Sequence, residues 1–498
     1  MEIRRKTIGF AYEQGEMWEQ EALVPSQREA DMAEKIEWSV LSVYPQWTYQ
    51  KVEGFGCALT GTSCILLSQM PPEQRRHALR AWFGEGGINA RYIRLSIDSC
   101  DFSPYEYQAV PDPIADPELS TFSIREDQKL ILPVVKEALS MAAADCEVLL
   151  SPWSPPGQWK TPPETHANDA AAYGDQAVDG AAEKPGRCRG GRLKKEYYAA
   201  WAKYVTLYVE AYRAEGIPVT MLSVQNEPDA ATPWDSCLWS GEEEYTFLKD
   251  YLYPALAQAG LAETVGIFVW DHNKERMAER ALEVLKPDAL PLVKGMAYHW
   301  YTGDHFQAVG MVRERFPNIV LMHSESCPLH RPYRRYDPAD ETLSVADRQQ
   351  DYADACRYAH DMLGDINQGM NRWIDWNLIV DRQGGPRHVP GGFAAPLLAE
   401  RDGTCTETMM YRYIRLIAQS IPRDSVRLGV SCYITRVEMA ALRCPDGSIS
   451  LLLLNPTAAD EPLTLRMDGL VCDVSAPAHS LSAFHFSPTP DATITNCE

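Results

Sequence analysis

Between residues 53 and 380 the chain alternates short apolar runs with longer amphipathic stretches. That is the pattern of strand–helix units whose strands are buried on both faces of a parallel sheet. Eight such runs stand at 53–60, 91–97, 147–153, 219–227, 265–273, 295–301, 319–326 and 372–380. Helical periodicity fills intervals at 71–83, 125–144, 194–215, 242–259, 274–285 and 348–367. Eight repeats of this α/β pattern predict closure into a (β/α)8 TIM barrel, which has no sheet edge to protect. An open doubly wound sheet would normally show a Gly-rich phosphate turn after its first strand, and Gly54-Phe-Gly56 matches one poorly.

After Arg423 strands follow one another without helices, at 431–442, 448–455, 462–467 and 480–486, with a Pro445-Asp446-Gly447 turn between the first two. This predicts a small flanking β-sandwich. Residues 35–48 also read as strand and are expected to join it, because the ends of a chain often lie close together. The expected organisation is an N-terminal segment 1–48 that contributes a strand, a catalytic barrel 49–424 and a C-terminal sandwich 425–498. Residues 161–192, rich in Ala, Gly, Asp and Pro, offer no apolar anchor and predict a long mobile loop over the barrel mouth after the third strand.

Composition narrows the partners. A net charge of -22 repels phosphate backbones and anionic membrane surfaces, so nucleic acid is excluded and a neutral substrate is favoured. No run approaches the roughly 18 apolar residues of a membrane span. No apolar stretch near the N-terminus resembles a signal peptide, and the 13 cysteines include no Cys-x-x-Cys pair. The expectation is a reduced, cytoplasmic protein with no cofactor; homo-oligomer formation is left open.

The chemistry lies at the strand ends. The fourth and seventh apolar runs finish in Asn226-Glu227-Pro228 and Ser324-Glu325-Ser326, which sets one carboxylate at the C-terminal tip of each strand, where barrels keep their active sites. Paired carboxylates are what glycoside hydrolysis requires. A lone Glu after a strand is as readily a surface or capping group; the pair in one barrel frame is the signal. Trp153, Trp159, Trp234, Trp239, Trp270, Trp300 and Trp376, with Tyr301, fall after strand ends and suit the apolar faces of sugar rings. His272, His299 and His323 also stand near strand ends, but with no close His-x-His pair they read as core residues rather than metal ligands.

Several blocks in one order then carry a resemblance. They are Gly54-Phe-Gly56 with Leu66-Leu-Ser-Gln-Met70, Ile93-Arg94 with Ser99-Cys-Asp-Phe-Ser103, and Ser151-Pro-Trp-Ser-Pro-Pro156 with Lys160-Thr161. Gln225-Asn-Glu-Pro228, His299-Trp-Tyr301, Ser324-Glu-Ser-Cys327, Asp375-Trp-Asn377 and Gly384-Gly-Pro386 complete the set. From about residue 52 to 486 the chain resembles glycoside hydrolase family 30, in particular its glucosylceramidase branch. The resemblance implies a retaining β-glycosidase with Glu227 as acid/base and Glu325 as nucleophile. It implies that Asn226 meets the sugar 2-hydroxyl, that Asp101, Trp153 and Trp376 bind the ring, and that His299 and Tyr301 border the nucleophile. The expected substrate is a carbohydrate or glycolipid glycoside, with glucose as the sugar. A β-xylosidase, a β-fucosidase, an endo-β-1,6-glucanase and a non-catalytic carbohydrate-binding barrel are the alternatives. The chain departs from the family at Gly384 to Phe393, where Gly391 and Gly392 stand in place of an expected Asn; weak discrimination at the sugar's outer edge is the consequence expected, unless Arg387 or His388 on the same loop reaches into the gap and restores the contact.

Overall fold

The computed structural model describes residues 3–11, 15–23, 39–143, 145–163, 186–330, 345–389 and 392–487. Eight parallel strands close into a barrel. In chain order they are Gly54–Ala58, Tyr92–Ile97, Glu147–Pro152, Val219–Ser223, Gly266–Asn273, Val293–His299, Val320–Glu325 and Arg372–Asp375. All eight runs read from the sequence are therefore barrel strands. The barrel is filled by side chains: Tyr92, Leu149, Met221, Phe268, Ala297, Val320, Met322 and Ile374, drawn from the second to the eighth strands, form one buried cluster. Gly295 makes that filling possible, because a Cβ there would lie 2.5 Å from the Phe268 ring and 2.3 Å from the Val320 carbonyl oxygen.

Helices follow the strands as the periodicity predicts, among them Pro72–Phe83, Leu132–Met141, Tyr198–Ala214 and Met277–Val284. Three helices among the described residues were not read from the pattern, Gly61–Gln69, Phe306–Arg315 and Met409–Ser420. No helix among the described residues is long and apolar enough to cross a membrane.

Chain segments group into two compact units. The barrel unit takes in Phe55–Arg335 and Arg372–Thr406; the other takes in Met1–Gly54, Tyr336–Asn371 and Glu407–Glu498. This second unit is built on a nine-stranded sheet, in which Ile3–Ala11 and Val40–Val52 from the N-terminal end are interleaved with C-terminal strands. The N-terminal contribution is larger than the sequence reading expected, since Gly15–Leu23 adds a further strand paired with Ile3–Ala11. Residues from far apart in the strand order, Ile3 on the strand next to one edge and Cys472 and Val474 on the strand at the other, share one buried core with Leu41, Leu451 and Phe484. A sheet whose two ends bury into the same core must fold over on itself, as in a sandwich. The helix Val345–Gln368 belongs to this unit and is tied to it by His360 Nδ1, 2.6 Å from Glu438 Oε2, and by Asn367 Nδ2 donating to the Met439 carbonyl at 2.7 Å.

Most of the loop read at 161–192 lies outside the described residues, but its two feet are described and are anchored. Thr161 N donates to the Arg192 carbonyl at 2.8 Å, and Arg187 is buried between Asp98 (3.2 Å) and Asp235 (2.8 Å). Lys160 is buried as well and donates to the Arg187 carbonyl at 2.9 Å. The anchors are hydrogen bonds and ion pairs rather than apolar contacts, which is why hydropathy gave no sign of them.

Candidate active site

Glu227 follows the fourth strand on a backbone pinned from both sides. Asn226 N donates to the Pro152 carbonyl at 2.8 Å and Glu227 N to the Asp271 carbonyl at 2.9 Å, tying this turn to the ends of the third and fifth strands. Glu227 adopts φ +46°, a left-handed conformation that a non-glycine residue keeps only where its surroundings impose it. Glu325 ends the seventh strand, where pairing with the sixth skips Ser324 between His323↔Tyr298 and Glu325↔His299. In a regular strand neighbouring side chains point to opposite faces. The bulge lets both turn inward, Ser324 Oγ to Asp271 at 2.5 Å and Glu325 to Arg94. A matching irregularity in the fifth strand, between Trp270 and His272, sets Asp271 inward beside them.

Arg94 is the hub. Wholly buried, it donates to Glu325 Oε2 at 2.5 Å, to Asp271 Oδ2 and Asn226 Oδ1 at 2.8 Å each, and to Ser151 Oγ at 3.2 Å. Its guanidinium lies 4.9 Å from the Trp153 ring centroid and 5.3 Å from that of Trp376, and those two rings stack 5.0 Å apart. With Oδ1 of Asn226 occupied by Arg94, the amide NH2 is the end left for a ligand. Tyr301 OH donates to Glu325 Oε1 at 2.9 Å, so both nucleophile-candidate oxygens are held.

His299 bridges the two glutamates and Asp271. Its Nδ1 lies 3.2 Å from Glu227, and its Nε2 lies 3.1 Å from Asp271 and 3.9 Å from Glu325. Burial would keep this imidazole neutral, but the charge of Glu325 and the hydrogen bonds to Asp271 and Glu227 outweigh it and raise its pKa to about 9. Burial also pushes the Glu227 carboxyl up, yet the neighbouring His272 imidazole and the hydrogen bond to His299 hold it below the usual carboxylate range. Burial raises Glu325 against the pull of His299 and Arg94. Taken one residue at a time, these directions are the reverse of what a proton donor at Glu227 and an anion at Glu325 would need. Geometry decides the matter in favour of an anionic Glu325, because Arg94 and Tyr301 both donate to it. The low carboxyl of Glu227 exists only against a protonated imidazole, so one proton is shared along His299 and Glu227 and can reside on either.

Asp101 lies buried beyond the second strand, with its carboxyl pushed up to about 8 by burial and by the charge of Glu325. Opposite it, Arg387 Nη1 stands 4.0 Å from Asp101 Oδ2, and none of the three Arg387 guanidinium nitrogens has a hydrogen-bond partner among the described residues. The Arg387 guanidinium is sandwiched by Phe102 and Phe393 instead, at 4.9 and 4.1 Å from their centroids. A gap of 4.0 Å is too long for a direct bond and suits one bridging hydroxyl oxygen that accepts from Arg387 and donates to Asp101.

These shifts have a stability consequence. Asp101 is raised from an ordinary 3.8, so its contribution is complete below that pH and lost as pH rises through about 8. His299 is raised from 6.5, so its contribution is complete below 6.5 and lost as pH rises through about 9. The Asp101 loss runs from pH 3.8 to about 8 and the His299 loss from 6.5 to about 9, so both act between pH 6.5 and about 8, where the melting temperature is expected to decline, and to decline less in Asp101→Asn. An unchanged melting temperature across that window in scanning fluorimetry would rule this out.

Residues 52–413 match the glycosyl hydrolase family 30 TIM-barrel domain, and residues 424–484 match the family's β-sandwich domain. The chain belongs to glycoside hydrolase family 30. It is 28% identical to the lysosomal acid glucosylceramidase of Mus musculus over 460 residues, 89% of this chain and 83% of that one. It is 23% identical to the endo-1,6-beta-D-glucanase neg1 of Aspergillus fumigatus over 448 residues, 87% and 85% of the two chains. Among solved structures, SrfJ from Salmonella typhimurium superposes with a TM-score of 0.84 at 27% identity, covering 98% of this chain and all of that one.

As a family 30 glycoside hydrolase, the protein gathers at the barrel mouth all eight residues singled out from its sequence: Glu227, Glu325, Asp101, Trp153, Asn226, His299, Tyr301 and Trp376. Trp153 and Trp376 pack in one cluster with Phe102, Tyr301 and Trp234. The wider tryptophan reading needs correction. Trp159 stacks on Tyr197, Trp239 packs against Phe247 and Trp270 lies under Arg280, so these rings close the core around strand ends. His272 is also corrected: its Nδ1 lies 3.6 Å from Glu227 Oε1, in the site and not in the core, whereas His323 packs between Tyr298 and Trp373. Arg94, Asp271 and Ser324 were missed as site residues. Arg94 did leave a signal, a lone cation inside the apolar strand Tyr92–Ile97. Glu227, His272 and His299 stand close enough to hold an ion, as do Cys188, Asp235 and His388. In the second set the Arg187 and His388 side chains already face Asp235.

Proposed function

We propose that the enzyme is a retaining β-glycosidase that removes a terminal β-linked glucose by double displacement. The observation that supports this most is the pair of glutamates at the ends of the fourth and seventh strands, joined through His299, with Arg94 and Tyr301 both donating to the buried Glu325. Glu325, held as an anion, attacks the anomeric carbon while Glu227 delivers the shared proton to the leaving oxygen. Glu227, then anionic and supported by His299, takes a proton from the water that releases the sugar. Asn226, fixed by Arg94, addresses the sugar 2-hydroxyl, and Asp101 with Arg387 addresses the outer hydroxyls. Retention calls for a carboxyl separation of roughly 5 to 5.5 Å, with inverting pairs standing wider.

The first-formed sugar from an aryl β-glucoside, followed by proton NMR before mutarotation, should be the β-anomer; an α-anomer would overturn retention. Across aryl β-glucoside, β-xyloside and β-fucoside the Arg387–Asp101 gap favours the glucoside, contrary to what Gly391 and Gly392 suggested from sequence. Gly391 itself lies outside the described residues. A site built to bind a hydroxyl rejects analogues lacking it by about 10⁴-fold, so a preference under about tenfold would remove Arg387 from this role. The mouse glucosylceramidase and the Aspergillus glucanase support two aglycones, a glycolipid and a β-1,6-glucan. Glucosylceramide and β-1,6-glucan assayed side by side separate them.

A further inference from the structure

Trp47 is 65% exposed, and Tyr49 and Tyr44 beside it are 48% and 38% exposed. All three come from the strand Val40–Val52 and border a surface recess of about 530 Å³ that also takes in Asn367, Gln368 and Arg427. Three large aromatic side chains on one strand facing water have no role in that strand's own core, which is supplied by Leu41 and Val43.

The backbone is shaped to present them. Where Val40–Val52 pairs with Ser425–Cys432, Tyr44 faces Gly429 and Thr48 faces Leu428, so one step on the second strand spans four on the first. Pro45, Gln46 and Trp47 are surplus and are pushed out as a bulge, a device that re-aims side chains. Gly429 leaves room for it, since a Cβ there would meet the Trp47 Cβ at 3.0 Å. Polar contacts hold the bulge: Arg443 Nη2 donates to the Pro45 carbonyl at 2.5 Å and Gln46 Nε2 to Asp468 Oδ1 at 2.8 Å. Arg427 lies 3.5 Å over the Tyr49 ring and donates to Gln50 Oε1 at 3.2 Å. The platform is therefore held in place by contacts within the protein itself.

Flat aromatic rings flanked by amide and guanidinium donors suit a ligand with apolar C–H faces and a rim of hydroxyls. A net charge of -22 opposes the approach of anionic lipid and nucleic acid through long-range repulsion, which favours a neutral occupant. We propose that Tyr44, Trp47 and Tyr49 form a second carbohydrate-binding site that holds a neutral glycan chain while the barrel cleaves it. The choice of glycan rests on the glycosidase reading above; the existence of the platform does not.

The test is affinity gel electrophoresis through soluble β-1,6- and β-1,3-glucans, using Glu325→Gln protein so that the glycan survives, with and without Trp47→Ala. Trp47→Ala is expected to weaken glycan retardation about tenfold. In the otherwise native enzyme, Trp47→Ala should leave kcat and KM on an aryl β-glucoside unchanged. Trp47 is largely exposed, so its loss does not threaten folding, and Tyr49→Ala provides a second variant with the same expectation. Equal retardation of parent and both variants would overturn the site, as would no retardation of any of them. Loss of binding to neutral phosphatidylcholine vesicles, or of a dimer seen by light scattering, in place of glycan binding would overturn it in favour of lipid or of a second copy. An enzyme inactive on the aryl glucoside would instead count against the proposed function alone.

Discussion

Replacing Glu325 with glycine is expected to lower kcat on aryl β-glucosides by about five orders of magnitude, or roughly 7 kcal/mol of barrier. Arg94 and Tyr301 point two donors at this carboxylate, and removing it leaves a cavity on the face from which the anomeric carbon is attacked. Azide can occupy that cavity. With a good leaving group it should restore turnover and give the α-glycosyl azide, since a single displacement inverts the β-linkage. Glu227→Ala should behave differently, because the glycosyl-enzyme still forms when the leaving group needs no proton. Azide then attacks that intermediate from the opposite face, and the product is the β-glycosyl azide. Exchange of the two products between the variants would exchange the two roles, and absence of azide products from both would count against a covalent intermediate.

The second large effect is expected at Arg94, a residue that makes no claim on the substrate. Its guanidinium compensates two buried carboxylates, Glu325 and Asp271, and orients Asn226. Removing one partner of a buried ion pair typically costs about 3–5 kcal/mol, so Arg94→Met should melt well below the parent and purify poorly. Arg94→Lys keeps the charge and is the sharper measurement. An ammonium on a single flexible stem cannot reproduce a planar fork that reaches Glu325, Asp271 and Asn226 together. A fall in kcat of at least about a hundredfold is expected, with the melting temperature closer to that of the parent than Arg94→Met. Activity within tenfold of the parent would mean that charge alone, and not the geometry of the fork, prepares Glu325.

Both effects depend on residues that differ in how plainly the sequence announces them. The eight barrel strands were legible because burial on both faces writes each of them as an unbroken apolar run, and the turn into C-terminal strands at Arg423 was legible for the complementary reason. Glu227 and Glu325 were legible because each interrupts such a run at its end. The resemblance to family 30 then supplied Asp101, Trp153, Asn226, His299, Tyr301 and Trp376, and the barrel brings all of them to one mouth. What periodicity misjudged was whatever depends on facing. A strand end carries a tryptophan whether the ring lines the cleft, as Trp153 does, or closes the core, as Trp239 does.

Only the tertiary structure decided the rest, because pairing of charges across strands has no local signature. Asp271 is 177 residues from Arg94 in the chain and 2.8 Å from it in space. The bulges that turn Asp271 and Ser324 inward are set by the register of neighbouring strands, and one strand's sequence carries no record of its partner's register. The same holds for Arg187, which anchors a polar loop by ion pairs that hydropathy cannot see, and for Trp47, whose exposure follows from a three-residue mismatch with the strand opposite. The sequence by itself determined the barrel, its strands and the two carboxylates, since each is written in local apolar pattern. The charge network that prepares those carboxylates, and the aromatic platform on the sheet, exist only where distant strands meet.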